Sequence, residues 1–522
     1  MNGYISEQEL FNYRVKYNAE KDYGSFLYTL VMSYINSLPV MEAVKASRYY
    51  DADHLSILNK QRCYYIEGKK QVLPDDEYSN NKIVNPFFSV LVDQKAAYIT
   101  GNPINVSVSK YNNEGLKANS SIEQDQTKFV TALGMDFNDK ITDWIVNASI
   151  QGRAWVHPFI TSSGKFDFMI IPSSEIIGVY DTNNETELKE VYRFYKYEYI
   201  NNNDYKNSKM LYKLEVWNKD GVTYYTEDTE GRNLFIKDTS VKVNPAPHYF
   251  LQYGNGNVIN KTWASIPFIK LDNNSRAFSD LKRIKTLINL YDSIISGWAD
   301  DLASIQEAVI ILKGYAGMRG KTQGNMSELE VFMQNMKTHH VIDVSEGGDV
   351  DYLKVDIPVE AKEKLLKIIR YSIYHFGEGI DTDSDKFGNN PSGISLKFLY
   401  APLDLKANAI INKLIPALSL FTGFMIEFLN LSGIKLSIKP EDIIYTINKS
   451  IIFNEKEKID SVKASDGIIS RQTMLENHPW VKDVEEEQKR IEAEDKLNMD
   501  KALINLDAIN NNNNNSDTNA NV

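Results

Sequence analysis

The segment from Pro358 to Ser432 constrains the fold most, because it reads as two long helices joined by a polar loop. In the first helix, Pro358–Phe376, apolar and charged residues alternate at three- and four-residue steps, which gives one buried and one solvent face. Gly, Asn and Pro dominate residues 381–393 and favour turns. A loop of about 13 residues between strong helices is longer than most connections, which indicates a functional loop.

The second helix, Ile394–Asn430, is apolar on most sides. It contains Pro402 and Pro416, and we expect each proline to kink it, because proline removes a backbone donor and clashes with the preceding turn. Its uncharged run, Leu414–Ile426, is too short to span a bilayer, which needs about 20 residues. The sequence therefore predicts a buried helix of a large core and no membrane partner.

Composition bounds the class of protein. The chain has 522 residues, 43% hydrophobic and 25% charged, enough for several domains. Its single cysteine, Cys63, cannot form an intramolecular disulfide, and no Cys/His spacing indicates structural zinc. The first residues lack a secretion signal pattern, so we expect synthesis in a reducing cytoplasm. A net charge of −12 argues against a protein that holds nucleic acid by broad phosphate neutralisation, but not against one that lets DNA slide past.

The remaining chain predicts an α+β fold. Residues 1–150 read as mainly helical, residues 152–240 as antiparallel strands, and Asn244–Thr262 as a loop. The most regular amphipathic helix is Leu281–Ile305, roughly 37 Å long at 1.5 Å per residue. The predicted helices and strands up to Tyr225 are Ser25–Ser37, Lys82–Thr100, Ser121–Leu133, Phe137–Ile150, Ala154–Ile160, Phe166–Ile171, Ile176–Tyr180, Glu190–Tyr199, Met210–Trp217 and Gly221–Tyr225.

Residues 307–357 form a predicted small α/β module between the long helices. We expect a strand at Ala308–Lys313, a helix at Met326–Met336, and a strand pair of Val341–Val344 with Val350–Val355. A strand at Ile443–Phe453 and a charged helix at Val481–Met499 follow. The Asn-rich end, residues 501–522, is of low complexity and is expected to be disordered.

A glycine-rich stretch resembles a phosphate-binding loop. Gly314–Thr322 follows a predicted strand, but five residues, not four, separate its first glycine from Gly320, Lys321 and Thr322. An ATPase built on this stretch is therefore only an alternative. We predict no catalytic residue.

Acidic residues near two adjacent histidines suggest a metal only weakly. His339 and His340 lie close in sequence to Asp343, Asp349 and Asp351, but neighbouring residues on a strand point to opposite faces. The other histidines are scattered and match no catalytic arrangement. They are His54, His157, His248, His375 and His478.

The loop 381–393 begins like an EF-hand, with Asp381, Asp383 and Asp385 at alternate positions. Phe387 and Gly388 are misplaced for such a loop, and its twelfth position holds no Glu. We predict a solvated acidic loop, with no metal and no cofactor.

Five sequence segments, in order, resemble the portal protein family of tailed bacteriophages, in particular long-tailed phages of Gram-positive bacteria. The resemblance spans roughly residues 45–495. The segments are Tyr49-Tyr-Asp-Ala-Asp-His54, the run Asn85–Pro103, Ile266-Pro-Phe-Ile with Asn273-Asn274, Leu287-Ile-Asn-Leu-Tyr-Asp292, and Phe387-Gly-Asn-Asn-Pro-Ser-Gly393 followed by Leu396-Lys-Phe-Leu-Tyr400.

The resemblance implies a ring, usually of twelve subunits, at the capsid vertex, through which double-stranded DNA is packaged and ejected. It implies terminase, scaffold, major capsid protein and neck or adaptor proteins as partners, and a place in the virion after assembly in the host cytoplasm. The implied regions are a wing (1–272), a stem helix (273–306), a clip (307–357), a second stem helix (358–380), a tunnel loop (381–393), a kinked helix returning to the wing (394–455), a crown (456–500) and a disordered tail (501–522).

The implied DNA-facing site is the tunnel loop, which would gate DNA passage without hydrolysis by this chain. Its acidic residues outnumber its single base, so it would repel phosphate and let the duplex slide. The alternatives are a structural virion protein without a channel and an NTP-dependent packaging motor that would use Gly320, Lys321 and Thr322. The predicted site residues are Asp381, Asp383, Ser384, Asp385, Lys386, Phe387, Gly388, Asn389, Asn390 and Gly393.

Overall fold

The structure, a computed structural model, describes residues 4–61, 63–65, 72–74, 79–109, 120–184, 186–201, 204–252, 258–305, 309–313, 349–353, 358–383, 393–450, 455–481, 484 and 487–499. Its helices are α1 (Glu7–Lys16), α2 (Tyr23–Ile35), α3 (Leu38–Tyr50), α4 (Leu55–Leu58), α5 (Phe87–Thr100), α6 (Ser120–Leu133), α7 (Phe137–Gln151), α8 (Lys285–Ile305), α9 (Val359–Gly377), α10 (Gly393–Leu431), α11 (Glu455–Ala464), α12 (Arg471–Asn477) and α13 (487–499).

The strands lie mostly between α7 and α8. They are β1 (Tyr4–Ser6), β2 (Cys63–Tyr65), β3 (Val72–Pro74), β4 (Asn105–Val108), β5 (Arg153–Ile160), β6 (Phe166–Pro172), β7 (Ile176–Tyr180), β8 (Leu188–Asn201), β9 (Asp204–Asn218), β10 (Gly221–Glu227), β11 (Phe235–Lys237), β12 (Tyr249–Gln252), β13 (Val258–Lys261), β14 (Ile269–Asp272), β15 (Val309–Lys313), β16 (Asp349–Leu353) and β17 (Ile443–Thr446). Helices and open sheets confirm the predicted α+β class.

The largest sheet has the order β1-β7-β8-β9-β10-β11. Its strands pair antiparallel, except that β1 runs parallel to β7. Helices α1 and α2 cover one face, where Phe26 and Leu30 pack with Tyr192 and Leu214 in one buried cluster. This sheet confirms the predicted antiparallel strands, and β1 adds an edge that the sequence did not predict.

One predicted loop contains a hairpin. Strands β12 and β13 pair antiparallel inside Asn244–Thr262, which the sequence analysis read as irregular. Each strand has four residues, so the apolar pattern on either side of the Gly/Asn segment is too short to stand out. That expectation was wrong for Tyr249–Gln252 and Val258–Lys261.

A second sheet, β14-β5-β6, packs with α7 and α10. The Phe421 ring of α10 lies 6.0 Å from the Phe137 ring and 4.9 Å from the Phe168 ring, measured between centroids. Helix α10 is continuous through Pro402 and Pro416, so neither proline ends it, while the expected kinks stay a prediction.

Within the described residues, one stretch is long and apolar enough to cross a membrane, Lys397–Leu431, and its most apolar window has a mean hydropathy of 1.6. Half of its most apolar window is buried inside the protein, and aromatic side chains of the second sheet pack on it. Burial of this kind is typical of a core helix.

Helices α8 and α9 form an antiparallel pair. Lys362, in the first turn of α9, contacts Asp301 near the end of α8, and Arg283, just before α8, contacts Glu378 just after α9. Strands β15 and β16, which follow α8 and precede α9 in the chain, pair antiparallel. The predicted helix Met326–Met336 and strand Val341–Val344 lie outside the described residues.

The chain divides into two compact units. Residues 1–381 and 402–450 form the first, and residues 382–401 and 451–522 form the second. In the second unit, Ser470 caps α12 by accepting a hydrogen bond from Thr473 N at 3.2 Å, and Arg471 pairs with Asp495 of α13 at 3.2 Å. The site described next lies in the first unit.

Candidate functional site

The predicted loop begins where α9 ends, at residues that we call the loop root, Gly377–Asp381. Glu378 has φ of +56°, a left-handed conformation that commonly terminates helices. Gly379 N then donates to Tyr374 O at 3.0 Å. Because this bond satisfies a carbonyl of the last turn, the chain leaves α9 in one defined direction.

Helix α5 holds the loop root from one side. The Gln94 side chain donates from Nε2 to Ile380 O at 2.8 Å and accepts from Ile380 N at 3.0 Å. Leu91 lies so close that a Cβ on Gly377 would be 2.7 Å from its Cδ1, and one on Gly379 would overlap its Cδ2. A side chain at either position would therefore force Leu91 to shift, whereas glycine allows this approach.

Arg370 holds the loop root from α9 itself. Its guanidinium donates from Nε to Asp381 Oδ2 at 2.8 Å and from Nη2 to Oδ1 at 2.7 Å. Such a two-bond contact fixes direction as well as distance. The charge of Asp381 is thus compensated within the chain.

A buried charge network lies beside the loop root. Lys95 of α5 donates to Asn273 and, at 3.1 Å, to Asp280 Oδ2, and Lys406 of α10 lies 3.2 Å from the same oxygen. Lys406 Nζ also donates to Gly377 O at 2.7 Å. One carboxylate therefore joins α5 and α10, and Lys406 joins both to the end of α9.

Burial and charge act in opposite senses in this network. Burial alone would raise the pKa of Asp280, but Lys406 and Lys95 lower it to about 2. Burial lowers the pKa of Lys95 to about 8, because Asp280, shared between two ammonium groups, compensates only part of the desolvation cost. At neutral pH the Asp280 carboxylate and the Lys95 ammonium are both charged, and their attraction holds the network together.

A second buried junction ties the N-terminal helices to α8. His54 Nδ1 lies 2.7 Å from Asp292 Oδ2, with both side chains fully buried. Asp292 Oδ1 accepts from Asn85 N at 3.0 Å and from Asn85 Nδ2 at 2.8 Å. The Tyr49 ring stacks on His54 with centroids 4.2 Å apart. Three of the five segments that carry the family resemblance meet at this junction.

The predicted loop residues fall in three places. Asp381 is half-buried in the loop root, Asp383 follows it, and Gly393 is the first residue of α10. The predicted residues between them, Ser384, Asp385, Lys386, Phe387, Gly388, Asn389 and Asn390, lie outside the described residues.

The residues that position the loop root were not nominated from the sequence. One signal was available, because Lys95 lies at helical spacing from the apolar residues Leu91, Val92 and Ile99. A lysine on a buried helix face needs a carboxylate partner. The pattern could not say which carboxylate. The missed residues are Gln94, Lys95, Asp280, Arg370 and Lys406.

The other candidate sites gain no support. Gly314–Thr322, His339, His340 and Asp343 lie outside the described residues, and Asp349 and Asp351 are in β16. Among the residues that are described, no group of three or more His, Cys, Asp or Glu side chains could hold a metal ion. Burial lowers the pKa of His157 to about 3, so that histidine is a neutral core residue.

Comparisons with known proteins agree with the sequence resemblance. The family described as "Phage portal protein, SPP1 Gp6-like" matches residues 35–501. The portal protein of Bacillus phage SPP1 is 32% identical over 470 residues, covering 89% of this chain and 86% of that relative. The portal protein of Clostridium phage phiCD119 is 28% identical over 486 residues, covering 88% of this chain and 97% of that relative.

A solved structure is titled "Virion of native gene transfer agent (GTA) particle", and its match covers 74% of this chain and 88% of that chain. The TM-score is 0.37 and the sequence identity 11%, a likeness too low to carry an argument. The family match spans most of the chain and rests on sequence alone. This chain therefore belongs to the SPP1 Gp6-like family of phage portal proteins, whose role is at the DNA-packaging vertex of the phage head.

Proposed function

We propose that this chain forms a ring of twelve subunits and that residues 381–393 project from each subunit toward the DNA in the central channel. One observation carries the proposal. The loop starts at the end of a long antiparallel helix pair, and its root is bonded to α5, α9 and α10. A loop with so firm a root and so polar a sequence is suited to repeated contact with a moving duplex.

The charge of the loop favours sliding of the DNA over tight binding to it. Arg370 compensates Asp381, which leaves Asp383 and Asp385 against Lys386 in the remaining sequence. A collar of such loops repels phosphate slightly and gives no sequence-specific contact, so the DNA slides. Gly388 and Gly393 let the loop backbone change conformation while the DNA slides.

The other regions follow from the same assignment. Residues 307–357, entered and left through the β15–β16 pair, form the clip that docks the terminase motor and later the neck or adaptor protein. Residues 456–500 form the crown inside the capsid, and scaffold and major capsid protein surround the wing. Assembly takes place in the host cytoplasm. The chain itself hydrolyses no nucleotide, and purified protein with Lys321-dependent ATPase activity would contradict this.

The first test is negative-stain electron microscopy of the full chain in end view. Closed rings with a hole wide enough for a duplex are expected, whereas tubes or sheets would overturn the ring assignment. The second test removes residues 384–390 and keeps the loop root. Rings should still form, and phage heads should lose packaged DNA.

The control for the second test shortens a different exposed connection, residues 182–186 between β7 and β8. That variant should package and retain DNA like the unaltered protein. If removal of residues 384–390 also left packaging and retention unchanged, the tunnel-loop assignment would be wrong, while the ring assignment would stand.

A further inference from the structure

A cavity of about 890 Å³ lies between α3, the start of α8 and the large sheet. Four basic side chains line it, Lys45, Arg48, Lys196 and Lys285, which we call the basic cleft. Its acidic lining residues are Asp53 and Glu175. In a chain of net charge −12, this local excess of cations is unusual.

Two lysines of the basic cleft lie close to each other. Burial and then the neighbouring Lys45 ammonium lower the pKa of Lys285. Neither lysine forms an ion pair in the part of the chain that the structure describes, and Glu42, which acts on Lys285 in the opposite sense, pairs with Lys282 at 3.6 Å. Two like charges held together in a cleft cost free energy unless an anion joins them.

Exposed apolar side chains of α3 lie at and beside the basic cleft. Met41 and Val44 line it, and Leu38 lies three residues before Met41; their exposed fractions are 49%, 42% and 66%. Their three-residue spacing puts them along one side of the helix. Exposed aliphatic side chains next to basic ones fit a folded protein surface better than a nucleic-acid backbone, which would leave the aliphatic side chains in water.

A patch of opposite charge lies elsewhere on the same unit. Asp51, Asp93, Asp139 and Asp143 are exposed, and none forms an ion pair among the described residues; we call them the acidic patch. Tyr50 OH donates to Asp93 at 2.8 Å, and burial followed by Asp93, Asp51 and Asp143 raises the pKa of Tyr50 to about 12. These carboxylates therefore act together on one small surface.

The two surfaces lie on opposite sides of α3. Tyr50, which contacts the acidic patch, is five residues after Lys45 and two after Arg48. At 3.6 residues per turn, its direction differs from theirs by about 140° and about 160°. A subunit thus carries a basic surface on one side and an acidic surface on the other.

We propose that the basic cleft of one copy of this chain binds the acidic patch of the next copy in the ring. A closed ring with one subunit type requires two different, mutually complementary surfaces on each subunit. The charges of these two surfaces are complementary, and the surfaces face apart. Arg48 pairs with Asp53 at 4.0 Å, but Lys45, Lys285 and the four carboxylates of the acidic patch form no ion pair among the described residues. The proposal rests on ring formation, the proposed function above.

The test reverses each surface. The variant K45E/K285E and the variant D139K/D143K should each raise the protein concentration needed for half-maximal ring formation on the order of tenfold or more, because like charges would then face each other. Combining all four substitutions in one chain should restore assembly toward the original level. Ring formation is read by analytical ultracentrifugation and electron microscopy, and folding by the melting temperature of the monomer.

A matched control reverses two exposed lysines outside both surfaces, K219E/K237E, and should assemble normally. If K45E/K285E formed rings as well as the unaltered chain, the proposed interface would be wrong although the ring itself stood. If those rings instead failed only to retain DNA, the basic cleft would face DNA and the proposal would also be overturned. Absence of rings from the unaltered chain under every condition would count against the proposed function.

Discussion

Arg370 and Asp381 face each other across the last turn of α9, with Nε 2.8 Å from Oδ2 and Nη2 2.7 Å from Oδ1. The pair links α9 to the start of the segment that we assign to the DNA channel. Its two parallel bonds orient the loop root, and Gln94 and Lys406 hold the same five residues from other helices.

Arg370→Lys should weaken the loop root without unfolding the protein. Lysine keeps the charge but cannot donate the two parallel bonds. Because the side chains are 32% and 19% exposed, we expect a loss of about 1 kcal/mol or less in the free energy of unfolding. DNA retention in filled heads should fall. Lys364→Ala, which breaks the exposed pair with Glu360 on the same helix, should change neither quantity.

Asp280→Asn should destabilise the first unit strongly. It leaves the buried Lys95 and Lys406 ammonium groups without a carboxylate, and breaking a buried pair this way costs about 3–5 kcal/mol. Urea unfolding of the purified protein measures the loss. Asp220→Asn, at an exposed turn, should be neutral, and equal midpoints for the two variants would contradict the importance of the network.

The lowered pKa of Asp280 also predicts that the stability of the protein depends on pH in the acid range. The folded pKa of Asp280 is about 2 and its ordinary value is 3.8, so the ionised form contributes stability that is fully present above about pH 4. That contribution is lost as the pH falls toward 2. The stability difference between the unaltered protein and Asp280→Asn should therefore shrink as the pH falls below 4. A difference that stayed constant down to pH 2 would refute the assignment.

Two glycines should respond oppositely to alanine. In Gly379→Ala the new Cβ overlaps Leu91 and lies 3.1 Å from Gln94 Oε1, so we expect a loss of about 1–3 kcal/mol. Gly297 lies within α8 with open space around it, and Gly297→Ala should stabilise the helix by about 0.5–1 kcal/mol. Thermal unfolding distinguishes the two, and a stabilised Gly379→Ala variant would exclude the close approach of α5.

Asp292→Asn should detach the N-terminal helices from α8. The amide replaces an acceptor with a donor in a buried site where Asn85 donates twice and His54 lies 2.7 Å away, at a cost of about 3 kcal/mol. Hydrogen exchange should show faster opening around α3 and α8. Asp301→Asn, at the exposed end of α8, should cost less than about 1 kcal/mol, and the prediction fails if both variants behave alike.

Local sequence patterns were sufficient to predict most of the helices and strands. The strand predicted at Ile176–Tyr180 has those bounds in the structure, and the helix predicted at Phe137–Ile150 is one residue longer. Both depend on periodicity within a few residues, which a sequence displays directly. The hairpin of β12 and β13 was missed because short strands show too little of their period.

The pairing of strands was harder to predict than the strands themselves. The sequence analysis paired Val350–Val355 with Val341–Val344, which lies outside the described residues, so that pairing stays a prediction. It did not predict the pairing that the structure shows, of Asp349–Leu353 with the distant Val309–Lys313. A strand's alternation shows which side chains share a face but not which strand lies beside it. Pairing across long segments is decided by the packing of the helices that lead into the strands.

The sequence by itself determined the class of fold, the long helices, the position of the polar loop and membership of the portal family, because each of these is carried by local periodicity or by residues in order. Only the tertiary structure decided which charges meet. Lys95 and Asp280 are 185 residues apart, and their contact exists because α5 and the segment before α8 pack together. A helix pattern relates a residue to those three or four positions away, whereas a buried charge must find its partner wherever packing brings one.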